Sequence, residues 1–266
     1  NTVMPVLFFA TLTGITLFVV ASLVSGHFAE FAACSHRDWW LIAAKSLLVG
    51  SSWTCVYYAM RDLPISIAAS APLWTFLGSL VLFHEIPTPW QGVAMVSIFA
   101  GYYGFSVLGK LEGFSLRHPS IHLIMAGTLL GAASSLYDKY LLGVLRIPRN
   151  TVQLWFSIDI AVLLGVAYLL CLLLLRKKVQ RKFQWRWSIP LTGILLIVAD
   201  WLYFYTVSLP DTQISIISLV RRCSCIVTFA AGSWYFHDTN IRGKVIALGL
   251  ILLGQNAIFN SPLSRL

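Results

Sequence analysis

The sequence predicts an all-α integral membrane protein of about nine transmembrane helices, and three observations lead there. Apolar residues make up 58% of the 266 positions and charged residues 11%, where an ordinary soluble domain carries about 25% charged residues. Nine stretches approach the roughly 20 mostly apolar residues that a helix needs to cross the hydrocarbon core. The chain also repeats itself weakly, and the repeat divides those stretches between two halves.

The expected spans run Val3–Ser25, Trp39–Ala59, Ile65–Phe83, Trp90–Leu108, Ile121–Leu145, Thr151–Leu175, Trp187–Ser208, Gln213–Phe236 and Gly243–Phe259. They are too long for barrel strands and do not alternate with a period of two. A helix satisfies its own backbone hydrogen bonds, as a spanning segment in lipid must. The connections are short, so sequential helices pack as antiparallel neighbours and no sizeable soluble domain is inserted. Trp39, Trp40, Trp90, Trp185 and Trp187 fall at span ends, where an interfacial aromatic belt is expected.

The internal repeat rests on four matches in the same order. Phe83-His84-Glu85 closes one span and Phe236-His237-Asp238 another. Gly101 follows Glu85 by 16 positions, as Gly254 follows Asp238. Tyr57-Tyr58 with Leu63-Pro64 parallels Tyr203-Phe204 with Leu209-Pro210, and Asn1-Thr2-Val3 parallels Asn150-Thr151-Val152. Two repeats result, residues 1–110 with four spans and 120–262 with five. The counterpart of Ile121–Leu145 would precede Asn1, so the expected plan is two five-helix repeats with the first helix of repeat one missing. An odd number of helices per repeat inverts the second against the first. Inverted repeats recur in secondary transporters, with the substrate site near the repeat interface.

The stretch Pro72-Leu73-Trp74-Thr75-Phe76-Leu77-Gly78 through Phe83-His84-Glu85, followed by Gly92 and Gly101, resembles the EamA domain of the drug/metabolite transporter superfamily. Ser218-Leu219-Val220-Arg221-Arg222 through Phe236-His237-Asp238 and Gly254 is similar to a second copy. The resemblance covers nearly the whole chain. It implies a secondary transporter that moves a small polar or anionic metabolite by alternating access, favours export, and implies a multi-pass protein of the inner cell membrane. It also places the helices of Tyr57, Trp74 and Tyr203 around the pathway, against the plainer reading of these aromatics as core packing.

The formal charge of +9 does not point to nucleic acid. Six of the 19 basic residues, Arg176, Lys177, Lys178, Arg181, Lys182 and Arg186, share one loop beside a span, the pattern of a topology signal or an anionic-lipid contact. Basic residues number 11 in the loops on that side and 4 on the other. The rule that positive loops stay inside puts this loop in the cytoplasm and the C-terminus outside. The superfamily resemblance implies the opposite for the C-terminus.

Charge within spans is costly in lipid and marks a cavity or a partner. Lys45, Asp138, Lys139, Asp159, Asp200, Arg221 and Arg222 lie within spans. With about 1.5 Å of rise per residue, Lys45, Asp138, Asp159, Asp200, Arg221 and Arg222 all fall roughly 9 to 14 Å from the same membrane face, in one layer. The functional reading is a central cavity. Arg221 or Arg222 would hold an anionic group bidentately, and Asp138, Asp159 or Asp200 would neutralise the arginines or carry a coupling proton. The competing reading is a set of ion pairs that ties helices together.

No phosphate loop, hydrolase triad, zinc helix or ATPase motif occurs. Neither a catalytic residue, a cofactor nor a metal is therefore expected. Cys223 and Cys225 form a C-x-C pair without further ligands nearby and read as packing residues. The expected partners are a small-molecule substrate, a proton as candidate coupling ion, and the bilayer. An intramembrane enzyme acting on a lipid-linked substrate through two facing aspartates, and a membrane protein without transport activity, are the alternatives.

Overall fold

A computed structural model describes residues 3–59, 71–84, 89–111, 120–174, 183–209, 213–214, 216–217, 245–247 and 249–254. Among them 89% are helical and none is in a strand. The helices are α1 (Val3–Val24), α2 (Phe28–Ala32), α3 (His36–Ala59), α4 (Ala71–Leu82), α5 (Pro89–Leu111), α6 (Ser120–Lys139), α7 (Arg149–Leu174) and α8 (Ser188–Val207). A π-helical turn, Tyr140–Val144, extends α6. A shorter apolar helix covers Val245–Gly254.

Among the described residues, four helices are long and apolar enough to cross a membrane: Val3–Val24, Ser120–Val144, Arg149–Leu173 and Ser188–Val207. At about 1.5 Å per residue the 22 residues of α1 reach about 33 Å, against a core of roughly 30 Å. Helices α3 and α5 have 24 and 23 residues but are more polar; α3 opens on His36, Arg37 and Asp38 and carries Lys45. The expected span Gln213–Phe236 lies almost wholly outside the described residues, as do Arg221, Arg222, Glu85 and the His237-Asp238 pair.

The interior is mostly apolar, but large apolar side chains also cover the surface, and a few polar groups are buried. Val24, Val81, Leu173 and Leu195 are exposed, while Lys45, Asp138, Gln153 and Asp200 are buried. An apolar surrounding medium rewards that arrangement; water does not. Hydroxyls on the helices bond to their own backbone. Thr13 donates to the Phe9 carbonyl at 2.8 Å, Thr54 to Gly50 at 2.7 Å, and Thr192 to Ser188 at 2.7 Å, which removes a donor from a medium that cannot satisfy it.

The chain forms two compact units: Asn1–Tyr57 with Tyr137–Thr212, and Tyr58–Leu136 with Gln213–Leu266. Each draws on both sequence halves, so the units and the sequence repeats divide the chain differently. In the first unit α1 packs on α7 and α8. A methyl group added at Gly14 would stand 2.8 Å from the Gly193 carbonyl oxygen, and one at Gly193 would collide with the Ala10 carbonyl. Only two glycines let these backbones approach so closely. In the second unit Gly101 faces Ile251 and Ala247, and Gly78 faces Leu136.

Two features depart from the expected spans. Gly26, with a φ of 75°, ends α1: its N–H reaches the Leu23 carbonyl at 3.1 Å and that of His27 the Ser22 carbonyl at 3.1 Å, a glycine-capped helix terminus. The short helix α2 follows where only a loop was expected. Its Phe28 and Phe31 pack beside Ile15 and Leu154, and Trp155 donates to the Ala32 carbonyl at 3.2 Å. The second departure is the π turn, where the Leu145 N–H bonds to the Tyr140 carbonyl at 2.9 Å. The sequence shows only a continuous apolar run there.

Candidate functional site

The site lies inside the first unit. Lys45 comes from the middle of α3, one turn beyond Ile42, which is fully buried. Asp138 comes from the last turn of α6, directly before the π turn, a distortion that often accompanies functional positions. Tyr203 comes from the second half of α8. The Lys45 ammonium forms a salt bridge with Asp138 Oδ1, and the Tyr203 hydroxyl donates to Asp138 Oδ2 at 3.1 Å. Both carboxylate oxygens are thus engaged. Lys45 is 2% and Asp138 3% exposed, so the pair is sealed from its surroundings.

Aromatic rings complete the enclosure. Lys45 Nζ lies 4.3 Å from the ring centroid of Phe156 and 4.2 Å from that of Phe204. The two rings meet edge to face, 5.9 Å apart at 79°. An ammonium against two ring faces gains cation–π attraction, stronger where water is excluded. Beside them Ser46 donates to the Ile42 carbonyl at 3.0 Å.

Asp200 is buried on the same helix as Tyr203 and borders a cavity of about 20 Å³ with Thr11, Trp53, Phe156 and Ser157. That volume holds roughly one water. Asp159 is not part of that lining. Among the described residues its Oδ2 atom is buried without a hydrogen-bond partner, and its charge is felt at the Cys34 thiol. Gln153 Oε1 and Asn150 Oδ1, near the start of α7, are likewise buried acceptors without a partner among the described residues. On the far turn of α8 the Arg149 guanidinium covers Tyr205 at 4.5 Å and Trp201 at 5.6 Å.

Of the residues singled out in the sequence, Lys45, Asp138 and Tyr203 come together, with Asp200 one turn away from Tyr203 on α8. Tyr57 is exposed near the end of α3. Trp74 belongs to the second unit, and among the described residues its indole N–H is buried without a partner. Arg221 and Arg222 lie outside the described residues. Phe156 and Phe204 were not anticipated. A phenylalanine in an apolar helix carries no distinguishing signal, and only its position opposite Lys45 gives it a role.

Fold and site together define an all-helical protein with membrane-crossing helices and a buried, neutralised charge cluster. No family model matches the chain and no curated protein matches it. Among solved structures, a crystal structure of a protein superposes with a TM-score of 0.70 at 17% identity, over 100% of this chain and 90% of that one. At that identity the likeness is one of fold.

Proposed function

We propose that the chain is a multi-pass secondary transporter of the inner membrane, EamA-like and built from two inverted repeats of about nine spans in all. It moves a small polar or anionic metabolite by alternating access. The observation that carries this reading is the Lys45–Asp138–Tyr203 cluster. Structural ion pairs alone would not need two aromatic rings against the cation, whereas a cation that exchanges partners benefits from surfaces that hold it while unpaired. The cluster joins helices of both sequence halves, α3 from one and α6 and α8 from the other, so rearrangement between the halves changes its geometry. An anionic substrate group takes the place of Asp138 at Lys45 or engages Arg221 or Arg222. The released carboxylate takes up a proton, which couples the two fluxes.

The enzyme alternative needs two carboxylates facing one cleft. Asp200 is the one carboxylate among the described residues around its cavity, and Asp159 is not part of that lining, so this alternative gains no support. The test is flux of labelled amino acids and organic acids in proteoliposomes under an imposed pH gradient. The parent chain is compared with Asp138→Asn, Asp200→Ala and Arg222→Ala. Loss of flux in folded variants is expected. Parent-like flux in Asp138→Asn would refute the role of the cluster.

A further inference from the structure

The small cavity beside Asp200 has a chemical character that its size alone does not reveal. It lies where α1 packs on α7 and α8. Gly14 and Gly193, whose missing side chains let α1 and α8 approach, are part of its lining. Thr11 of α1, Ser157 of α7 and Asp200 of α8 supply oxygen-bearing side chains to it, and all three are buried. Each sits about two turns or more from the nearest end of its helix.

Both hydroxyl hydrogens are already committed. Thr11 donates to the Leu7 carbonyl, and Ser157 donates to the Gln153 carbonyl at 2.7 Å. A carbonyl oxygen only accepts, so the hydrogen in each bond belongs to the hydroxyl. Each hydroxyl has only lone pairs left for the cavity. The Gln153 amide nitrogen, 3.4 Å from Ser157 Oγ, takes one lone pair of that oxygen and leaves the other. An ionised carboxylate is also an acceptor only, and one of the two Asp200 oxygens is enough to make a third acceptor.

A small cation suits such a wall. The volume of about 20 Å³ holds one water or one ion of similar size. A water has two hydrogens and satisfies two of three acceptors. A cation attracts all three at once, and hard cations favour oxygen ligands. One carboxylate balances a single positive charge, whereas a divalent ion would carry surplus charge into an apolar interior at high cost. Cavity size and the number of coordinating oxygens both bear on the choice between sodium and potassium. A small cavity with three side-chain oxygens favours sodium, the smaller ion.

We propose that Asp200, Ser157 and Thr11 hold a sodium ion in this cavity, tying α1, α7 and α8 together at the level of the glycine contact. Binding does not depend on the transport reading: the ion binds with or without flux through the chain, so either can fail alone.

Thermal unfolding of the whole detergent-solubilised chain tests this, in sodium, potassium or choline chloride at equal total salt. A ligand that binds only the folded state raises Tm as its concentration rises. Sodium is expected to raise Tm in a saturable manner, potassium only at a much higher midpoint, and choline not at all. Asp200→Asn keeps the shape, removes the charge and should abolish the sodium increment. Ser157→Ala and Thr11→Val each remove one oxygen and should raise the sodium midpoint about tenfold or more; they decide the matter if Asp200→Asn fails to fold. Thr192→Val removes an exposed hydroxyl that donates to its own helix at 2.7 Å and should leave the midpoint unchanged. Equal sodium and potassium midpoints would overturn the proposal. So would a sodium increment that persists in Asp200→Asn, or one untouched in both Ser157→Ala and Thr11→Val. No sodium increment at any concentration would leave a water as the occupant, or a proton on Asp200 if falling pH stabilises the chain in choline chloride; both results overturn the site.

Discussion

The Lys45 ammonium and the Asp138 carboxylate stand 93 residues apart in the chain and meet as a buried ion pair. Each is a charge buried within a helix bundle, and each would be unstable there without the other. A buried pair contributes modestly as a unit, while removal of one partner leaves an uncompensated charge.

Lys45→Met should therefore destabilise the folded protein by about 3–5 kcal/mol, and Lys45→Met with Asp138→Leu should recover most of the loss. Chemical unfolding in detergent micelles reads both. Additive losses in the double variant would mean that the pair contributes packing and little electrostatics.

Tyr203→Phe removes the donor to Asp138 Oδ2 and keeps the ring. A hydrogen bond to a charged group contributes about 1.5–3 kcal/mol. Stability should fall by that amount, and flux in proteoliposomes by about tenfold or more if the same bond orders the carboxylate during transport. Unchanged flux with lowered stability would confine Tyr203 to a structural role.

The glycine contact between α1 and α8 has its own signature. Gly193→Ala places a methyl group against the Ala10 carbonyl and should lower stability by about 1–3 kcal/mol. Gly92→Ala on α5, where a methyl group meets nothing within 4 Å, should be neutral or stabilise by roughly 0.5–1 kcal/mol. Thermal unfolding of the two variants side by side separates close packing from helix propensity.

Cys34 lies between α2 and α3, outside the helices that cross the membrane. Burial, and then the carboxylates of Asp38 and Asp159, raise its thiol pKa. The reactive thiolate is therefore scarcer at neutral pH than in an ordinary cysteine. In a chain whose other cysteines are replaced, alkylation of Cys34 should be slow at neutral pH and accelerate as pH rises above the usual thiol range. Asp38→Asn should speed it at any fixed pH. An impermeant maleimide should reach it from outside the cell if the charge rule holds; labelling from the cytoplasmic side alone would reverse the assigned orientation.

Much of the fold was legible because lipid imposes a length and a composition on each crossing helix. The ends of α1, α7 and α8 fall within a residue or two of the expected spans. The short helix α2 and the π turn were not legible. Five residues carry too little periodicity to register as an element, and a π turn changes hydrogen-bond partners without changing composition. Lys45 and Asp138 stood out in the sequence because charge within an expected membrane span needs a reason. Asp159 stood out equally, at a similar depth, yet it bears on Cys34 and not on the cluster: depth along an axis says nothing about the direction in which a side chain points.

The amino-acid sequence alone determined that this chain folds as apolar helices and that a few charges would have to be buried, since both follow from the local cost of placing each group in hydrocarbon. Only the tertiary structure decided which charges meet, because pairing depends on how helices far apart in the chain cross and rotate. It also brought Phe156 and Phe204 against Lys45 and brought Gly14 against Gly193. Those contacts arise from packing between helices, a non-local quantity that no single stretch of sequence encodes.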